Sequence, residues 1–194
     1  MHDVLWEPAD AAGLEHLRYE TRPLSAESVV LGVRDGERFR IRYALDCDAE
    51  GRVRSVSVDS FDDGASLRLL TDGEGRWTDD DGAPIPELDG CLDVDISATP
   101  FTNSLPIRRL DLAAGESATL SMAYVSVPAL EVSAVRQKYI CLDPLDADGG
   151  RFCYEGLTSG FSAEIPVDSE GVVRDYPGLF RRVDRVGLSR TGND

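Results

Sequence analysis

A single lysine, Lys138, stands against nineteen arginines in this 194-residue chain, and the 20 basic residues face 36 acidic ones, for a formal net charge of −16. That charge repels DNA, RNA and anionic membrane surfaces at long range, so general nucleic-acid binding is excluded. Histidine occurs only at His2 and His16, and the four cysteines, Cys47, Cys91, Cys141 and Cys153, include no C-x-x-C pair. Such sparse donors do not predict a zinc site; no metal or cofactor is assigned, and reduced thiols are expected. The signatures G-x-G-x-x-G, G-x-x-x-x-G-K-[ST] and G-x-S-x-G are all missing, which leaves no motif for a bound nucleotide or an activated serine. No apolar run approaches the ~18 residues of a membrane-spanning helix, and Met1 to Pro8 has no signal-like segment. A cytoplasmic protein without membrane insertion is expected.

What is present is a globular composition, 42% hydrophobic and 29% charged, long enough to bury a core without staples. One domain is expected over 1–186, with a flexible tail over 187–194. The dominant pattern has period two, clearest in Arg52-Val53-Arg54-Ser55-Val56-Ser57-Val58-Asp59, and recurs in 14–20, 28–34, 40–45, 66–70, 92–97, 118–127, 130–142, 151–157 and 161–167. Turn dipeptides such as Asp35-Gly36, Glu50-Gly51, Asp81-Gly82 and Glu170-Gly171 separate these runs. The pattern predicts a mainly β protein, a curved antiparallel sheet forming a β-roll or incomplete barrel. Helix is expected in only one or two short pieces, Thr102 to Leu110 and Tyr176 to Val183. The segments Leu45 to Arg54 and Ile165 to Arg174 share Asp, Glu, Gly, Val and Arg. Two related halves, or two hairpins obeying one turn grammar, would each account for that.

Asp93 and Asp95 alternate with Leu92, Val94 and Ile96, which sets two carboxylates on one strand face at ~6.6 to 7 Å. A metal or acid–base pair is compatible with that spacing, but glycosidase carboxylates usually face each other across a cleft. Arg108 and Arg109 follow shortly, and pairing of one of them with Asp93 or Asp95 is the expected arrangement, because a buried charge needs a partner. Glu15 and His16 are adjacent on a strand and therefore point to opposite faces. His16 has no nucleophile motif to serve. Asn103 or Arg109 could bind hydroxyls while Trp77 or Phe101 offers a ring face.

The segments Asp72-Gly73-Glu74-Gly75-Arg76-Trp77, Leu88 to Asp95 and Thr99-Pro100-Phe101-Thr102-Asn103 through Leu110 resemble the bacterial "putative glycolipid-binding" protein family. Gly13 to Leu17 and Asp168 to Arg182, including Tyr176, look like that family's flanking motifs, so the resemblance covers essentially the whole chain. It implies a curved, half-open β-barrel of the lipoprotein-carrier kind, and it brings no catalytic residue with it. The leading expectation is non-catalytic binding of an amphipathic, glycolipid-like small molecule in the concavity of the sheet, its polar head recognised at the rim. The candidate contact residues are Glu15, His16, Trp77, Asp93, Asp95, Phe101, Asn103, Arg108, Arg109, Tyr176 and Arg182. The alternatives are a hydrolase or isomerase acting through Asp93, Asp95 or His16, and a scaffold whose core is filled by its own side chains.

Overall fold

The structure, a computed structural model, describes residues 1–183; the expected tail lies outside the described residues. The period-two runs become strands, and four further strands form outside them: β1 (His2–Pro8), β2 (Leu14–Thr21), β3 (Leu24–Arg34), β4 (Glu37–Cys47), β5 (Val53–Ser60), β6 (Ser66–Thr71), β7 (Trp77–Thr78), β8 (Asp93–Ile96), β9 (Ser117–Ser126), β10 (Glu131–Asp146), β11 (Gly149–Gly156), β12 (Ser162–Val167), β13 (Asp175–Tyr176) and β14 (Phe180–Arg182). The four are β1, β7, β13 and β14. They form a nine-stranded sheet, β13-β14-β1-β2-β3-β4-β5-β6-β7, and a five-stranded sheet, β12-β11-β10-β9-β8. Among the described residues neither sheet closes on itself.

Alternation decides which residues build the interior. On β2, Glu15, Leu17 and Tyr19 are buried while Leu14, His16 and Arg18 are exposed; on β4, Phe39, Ile41, Tyr43, Leu45 and Cys47 are buried. These inner faces meet Val94 and Ile96 of β8 and Ala123 and Val125 of β9 in one core. A second core gathers Tyr139, Cys141, Phe152, Ile165 and Tyr176 behind the smaller sheet. The apolar burial of both cores is what holds two open sheets together.

Three features differ from expectation. The meander is antiparallel except at its far edge, where β8 runs parallel to β9, Asp93 opposite Met122; the long segment between them, with its short helix, is the crossover that a parallel pair requires. That helix, α1 (Ser104–Leu110), continues a 3₁₀ turn at Phe101–Asn103, but the segment from Tyr176 to Val183 is not helical. Tyr176-Pro177-Gly178-Leu179 is instead the turn between β13 and β14, with Gly178 at φ +78°, and the amide of Leu179 donates to the Tyr176 carbonyl at 2.9 Å. Strand β1, unmarked by clear alternation, pairs with both β2 and β14 and so joins the two ends of the chain.

The shared residues near 48 and 168 are those of one turn. The Asp48 carboxylate accepts from the amides of Glu50 and Arg52 at 3.1 and 2.9 Å, and Asp168 does the same with Glu170 and Val172, both at 3.0 Å. Asp72 and Asp79 repeat the arrangement. In all four the glycine three residues on, Gly51, Gly75, Gly82 or Gly171, has φ between +74° and +91°. Four Asp-x-x-Gly turns, rather than two, obey one turn grammar.

Candidate functional site

A cavity of about 560 Å³ lies between the sheets, within the range of roughly 300 to 1,000 Å³ usual for small-molecule sites. The large sheet contributes Trp6, Glu15, Val30 and Phe39; the small sheet contributes Asp95, Tyr124, Gln137 and Tyr154. Gly32 shapes the wall, since a Cβ there would stand 2.5 Å from the Phe39 ring. Arg34, at the end of β3, spans the sheets: it donates to Ser97 Oγ at 2.6 Å and to the Val127 carbonyl at 2.7 Å.

Glu15 is the most unusual side chain of the wall. Its residue is 2% exposed, and its Oε1 accepts from Tyr43 at 2.7 Å and from Ser28 and Thr99 at 2.9 Å. Thr99 Oγ1 itself accepts from the amide of Phe101 at 3.0 Å and lies 3.2 Å from the Tyr43 hydroxyl. Oε2 is buried and has no partner. Burial pushes the carboxyl up to about 7, with the three hydroxyls pulling the other way. A neutral Glu15 therefore carries its proton on Oε2, because Oε1 already receives three donors.

Asp95 faces the cavity from the other sheet. Its Oδ2 accepts from Gln137 Nε2 at 2.5 Å and its Oδ1 from Thr102 at 3.2 Å. Burial raises its carboxyl above the usual range, opposed by those two hydrogen bonds. Tyr139 donates to Asn103 Oδ1 at 2.9 Å and lies 3.2 Å from Gln137 Oε1, so Thr102, Asp95, Gln137, Tyr139 and Asn103 form one buried polar chain.

Of the residues singled out in the sequence, Glu15, Asp95, Asn103 and Tyr176 line this cavity. Trp77 is not a rim residue: it is 1% exposed and donates from Nε1 to the Cys91 carbonyl at 2.8 Å. Phe101 is likewise core, fully buried beside Tyr19. Asp93 and Arg109 are consumed by each other, Nη2 to Oδ2 at 2.5 Å and Nε to Oδ1 at 3.3 Å. Arg108 grips the Glu170 carbonyl and reaches the Thr21 carbonyl at 3.3 Å, and Arg182 pairs with Asp168 at 2.6 Å. His16 lies on the opposite face of β2, exposed and 3.1 Å from Asp3. It borders a separate hollow of about 370 Å³ with Arg18, Arg42, Asp59 and Arg68; Arg42 and Arg68 share Asp59, and Arg18 pairs with Asp3.

The cavity also uses residues that the sequence did not mark, chiefly Gln137, Tyr124, Tyr154 and Phe161. Gln137 was legible only as a buried-phase position of β10; nothing local distinguishes it from the apolar residues around it. The thiols remain unpaired. Cys153 stands opposite Ile140 and Cys141 opposite Phe152, so the two sulfurs of this hairpin point to opposite faces.

Residues 3–182 match the family described as "Putative glycolipid-binding". Among solved structures, a DUF1089 family protein from Pseudomonas aeruginosa is 43% identical, with a TM-score of 0.79 over 88% of this chain and 92% of that one. No curated protein matches. A family match over nearly the whole chain, together with that identity in a protein of the same architecture, makes this chain a member of the family so described.

Proposed function

We propose that the inter-sheet cavity binds an amphipathic small molecule, glycolipid-like in character. The observation that carries this is a cavity of about 560 Å³ whose wall holds a buried carboxyl oxygen, Glu15 Oε2, without a partner. An unpaired buried oxygen costs roughly 1 to 3 kcal/mol, so a ligand group that satisfies it gains affinity there. The aromatic and aliphatic remainder of the wall, Trp6, Val30, Phe39 and Tyr176 among it, suits an apolar moiety, and the family description supports the ligand class. A wall of this size also speaks against a core filled by its own side chains. Native mass spectrometry of the purified protein tests the proposal: a co-purifying amphiphile released on denaturation is expected. A ligand-free protein that also ignores a panel of glycolipids and alkyl glycosides refutes it.

One observation favours a second function. A carboxyl titrating at about 7 suits general acid–base work, and Asp95 supplies a second carboxyl on the facing sheet. Turnover of a glycoside or ester panel that disappears in Glu15→Gln would favour an enzyme; unchanged substrates with retained binding would favour a carrier.

A further inference from the structure

The distribution of polarity within the cavity says which end of an amphiphile goes in. Its buried part holds a cluster of hydrogen-bonding groups beside Trp6, Val30 and Ile96: Glu15 and Gln137 are each 2% exposed and Asn103 6%. The exposed part of the wall includes Leu14, Leu31, Phe161 and Leu179, each 37 to 44% exposed. These are four of the nine large hydrophobic side chains exposed among the described residues. Asp10, Arg136, Thr158 and Ser159 also border the exposed part, so what sets this cavity apart from a lipid pocket is the buried hydrogen-bonding cluster together with the apolar side chains at its mouth.

We propose, on the basis of the binding function above, that the ligand enters head first. An uncharged, hydroxyl-bearing head group sits between the sheets against Glu15, Asp95 and Gln137, and its apolar part leaves past Leu14, Leu31 and Leu179. Glu15 Oε2 is the anchor: when protonated it donates to a hydroxyl or ether oxygen, and when ionised it accepts from a hydroxyl. Asp95 has acceptor capacity beyond its two hydrogen bonds, and Gln137 has a second Nε2 proton. An anionic head is disfavoured, because two carboxyls face it. Of the basic residues of the wall, Arg34 is engaged by Ser97 and Val127, and Arg136 is on the exposed side. A hydroxylated head with an apolar part outside would leave that part free to remain in a lipid phase while the head is held.

The test is a chain-length series read by titration calorimetry: n-butyl, n-hexyl, n-octyl and n-decyl β-glucoside, each below its micelle concentration, with n-octyl phosphate as the anionic comparison. Head-first entry predicts that affinity levels off after the first few methylenes, that the phosphate binds at least tenfold more weakly than octyl glucoside, and that Asp95→Asn and Gln137→Leu weaken every glucoside by about the same factor, near tenfold. Chain-first entry instead gains about fourfold per methylene along the whole series, and Gln137→Leu then strengthens binding; that result overturns the orientation and leaves the binding function standing. If a variant fails to fold, the wild-type series alone decides. Glucosides that do not bind, while native mass spectrometry shows a co-purified amphiphile with a charged head, overturn the head-group class. A protein that binds no glucoside, ignores the glycolipid panel and carries no co-purified amphiphile overturns both proposals.

Discussion

The Glu15 carboxyl is stabilised by three hydroxyls on one oxygen and destabilised by burial on both, and burial wins. Because its folded value of about 7 lies above the ordinary 4.5, the native state keeps a proton that the unfolded chain has lost. The contribution of Glu15 to stability is therefore fullest below about pH 4.5, declines as pH rises to 7, and is level above, at a cost of about 3 kcal/mol. Glu15→Gln keeps an acceptor for the three hydroxyls and removes the ionisation. Urea unfolding should show the variant gaining on the wild type between pH 4.5 and pH 8 by roughly that amount; a gap independent of pH would show that Glu15 does not titrate in this range. Asp93 and Arg109 obey the opposite logic, since each satisfies the other inside the protein. Arg109→Ala leaves a fully buried Asp93 unpaired and should cost about 3 to 5 kcal/mol, whereas Arg40→Ala, which breaks an exposed pair with Asp62, should leave the melting temperature nearly unchanged.

Among the elements, the four Asp-x-x-Gly turns offer a controlled comparison. Gly82 and Gly171 have φ of +81° and +74°, and a Cβ at Gly82 meets nothing within 4 Å, whereas one at Gly171 would stand 2.8 Å from Arg108 Cγ. Gly82→Ala should therefore cost only the left-handed backbone strain, about 1 to 2 kcal/mol. Gly171→Ala should cost more, since Arg108 would have to release the Glu170 and Thr21 carbonyls; equal melting temperatures for the two variants would show that this clasp contributes nothing. The thiols give a second element-scale check. Burial pushes Cys47 up to about 12 and Cys91 up to about 11, so alkylation of the folded protein near pH 8 should reach Cys153 first, the one partly exposed sulfur, and all four only after unfolding.

For the whole molecule, the two sheets share the cavity, so a ligand stabilises both or neither. Octyl glucoside at a hundredfold excess over its dissociation constant should add about 2.7 kcal/mol to stability. Hydrogen exchange should slow in β2 and β3 of the large sheet together with β8 and β10 of the small one, since all four reach the cavity. Protection confined to one sheet would indicate binding at an outer surface, such as the hollow beside His16.

Alternation of residues along the chain by itself determined the strands from β2 to β6 and from β8 to β12, the opposed directions of Glu15 and His16, and the turns that separate the hairpins, because period two and Asp-x-x-Gly chemistry act over a few residues. It also pointed to an arginine partner for Asp93 or Asp95, since a buried carboxylate has few other ways to be satisfied, and the structure gives that partner, Arg109, to Asp93. Only the tertiary structure decided what each buried face packs against. Trp77 and Phe101 have the same inward phase as a cavity-lining aromatic would have, yet both are enclosed by the core, while Tyr124, Gln137 and Tyr154 come to the cavity from strands far along the chain. The helix expected over Tyr176 to Val183 became a hairpin because β1 offers β14 an open edge, a partner far along the chain, Pro8 opposite Phe180, that no local pattern announces. Likewise the orphaned oxygen of Glu15 arises where β2, β3, β4 and the Thr99 turn converge, and a shortage of partners exists only once every neighbour is in place.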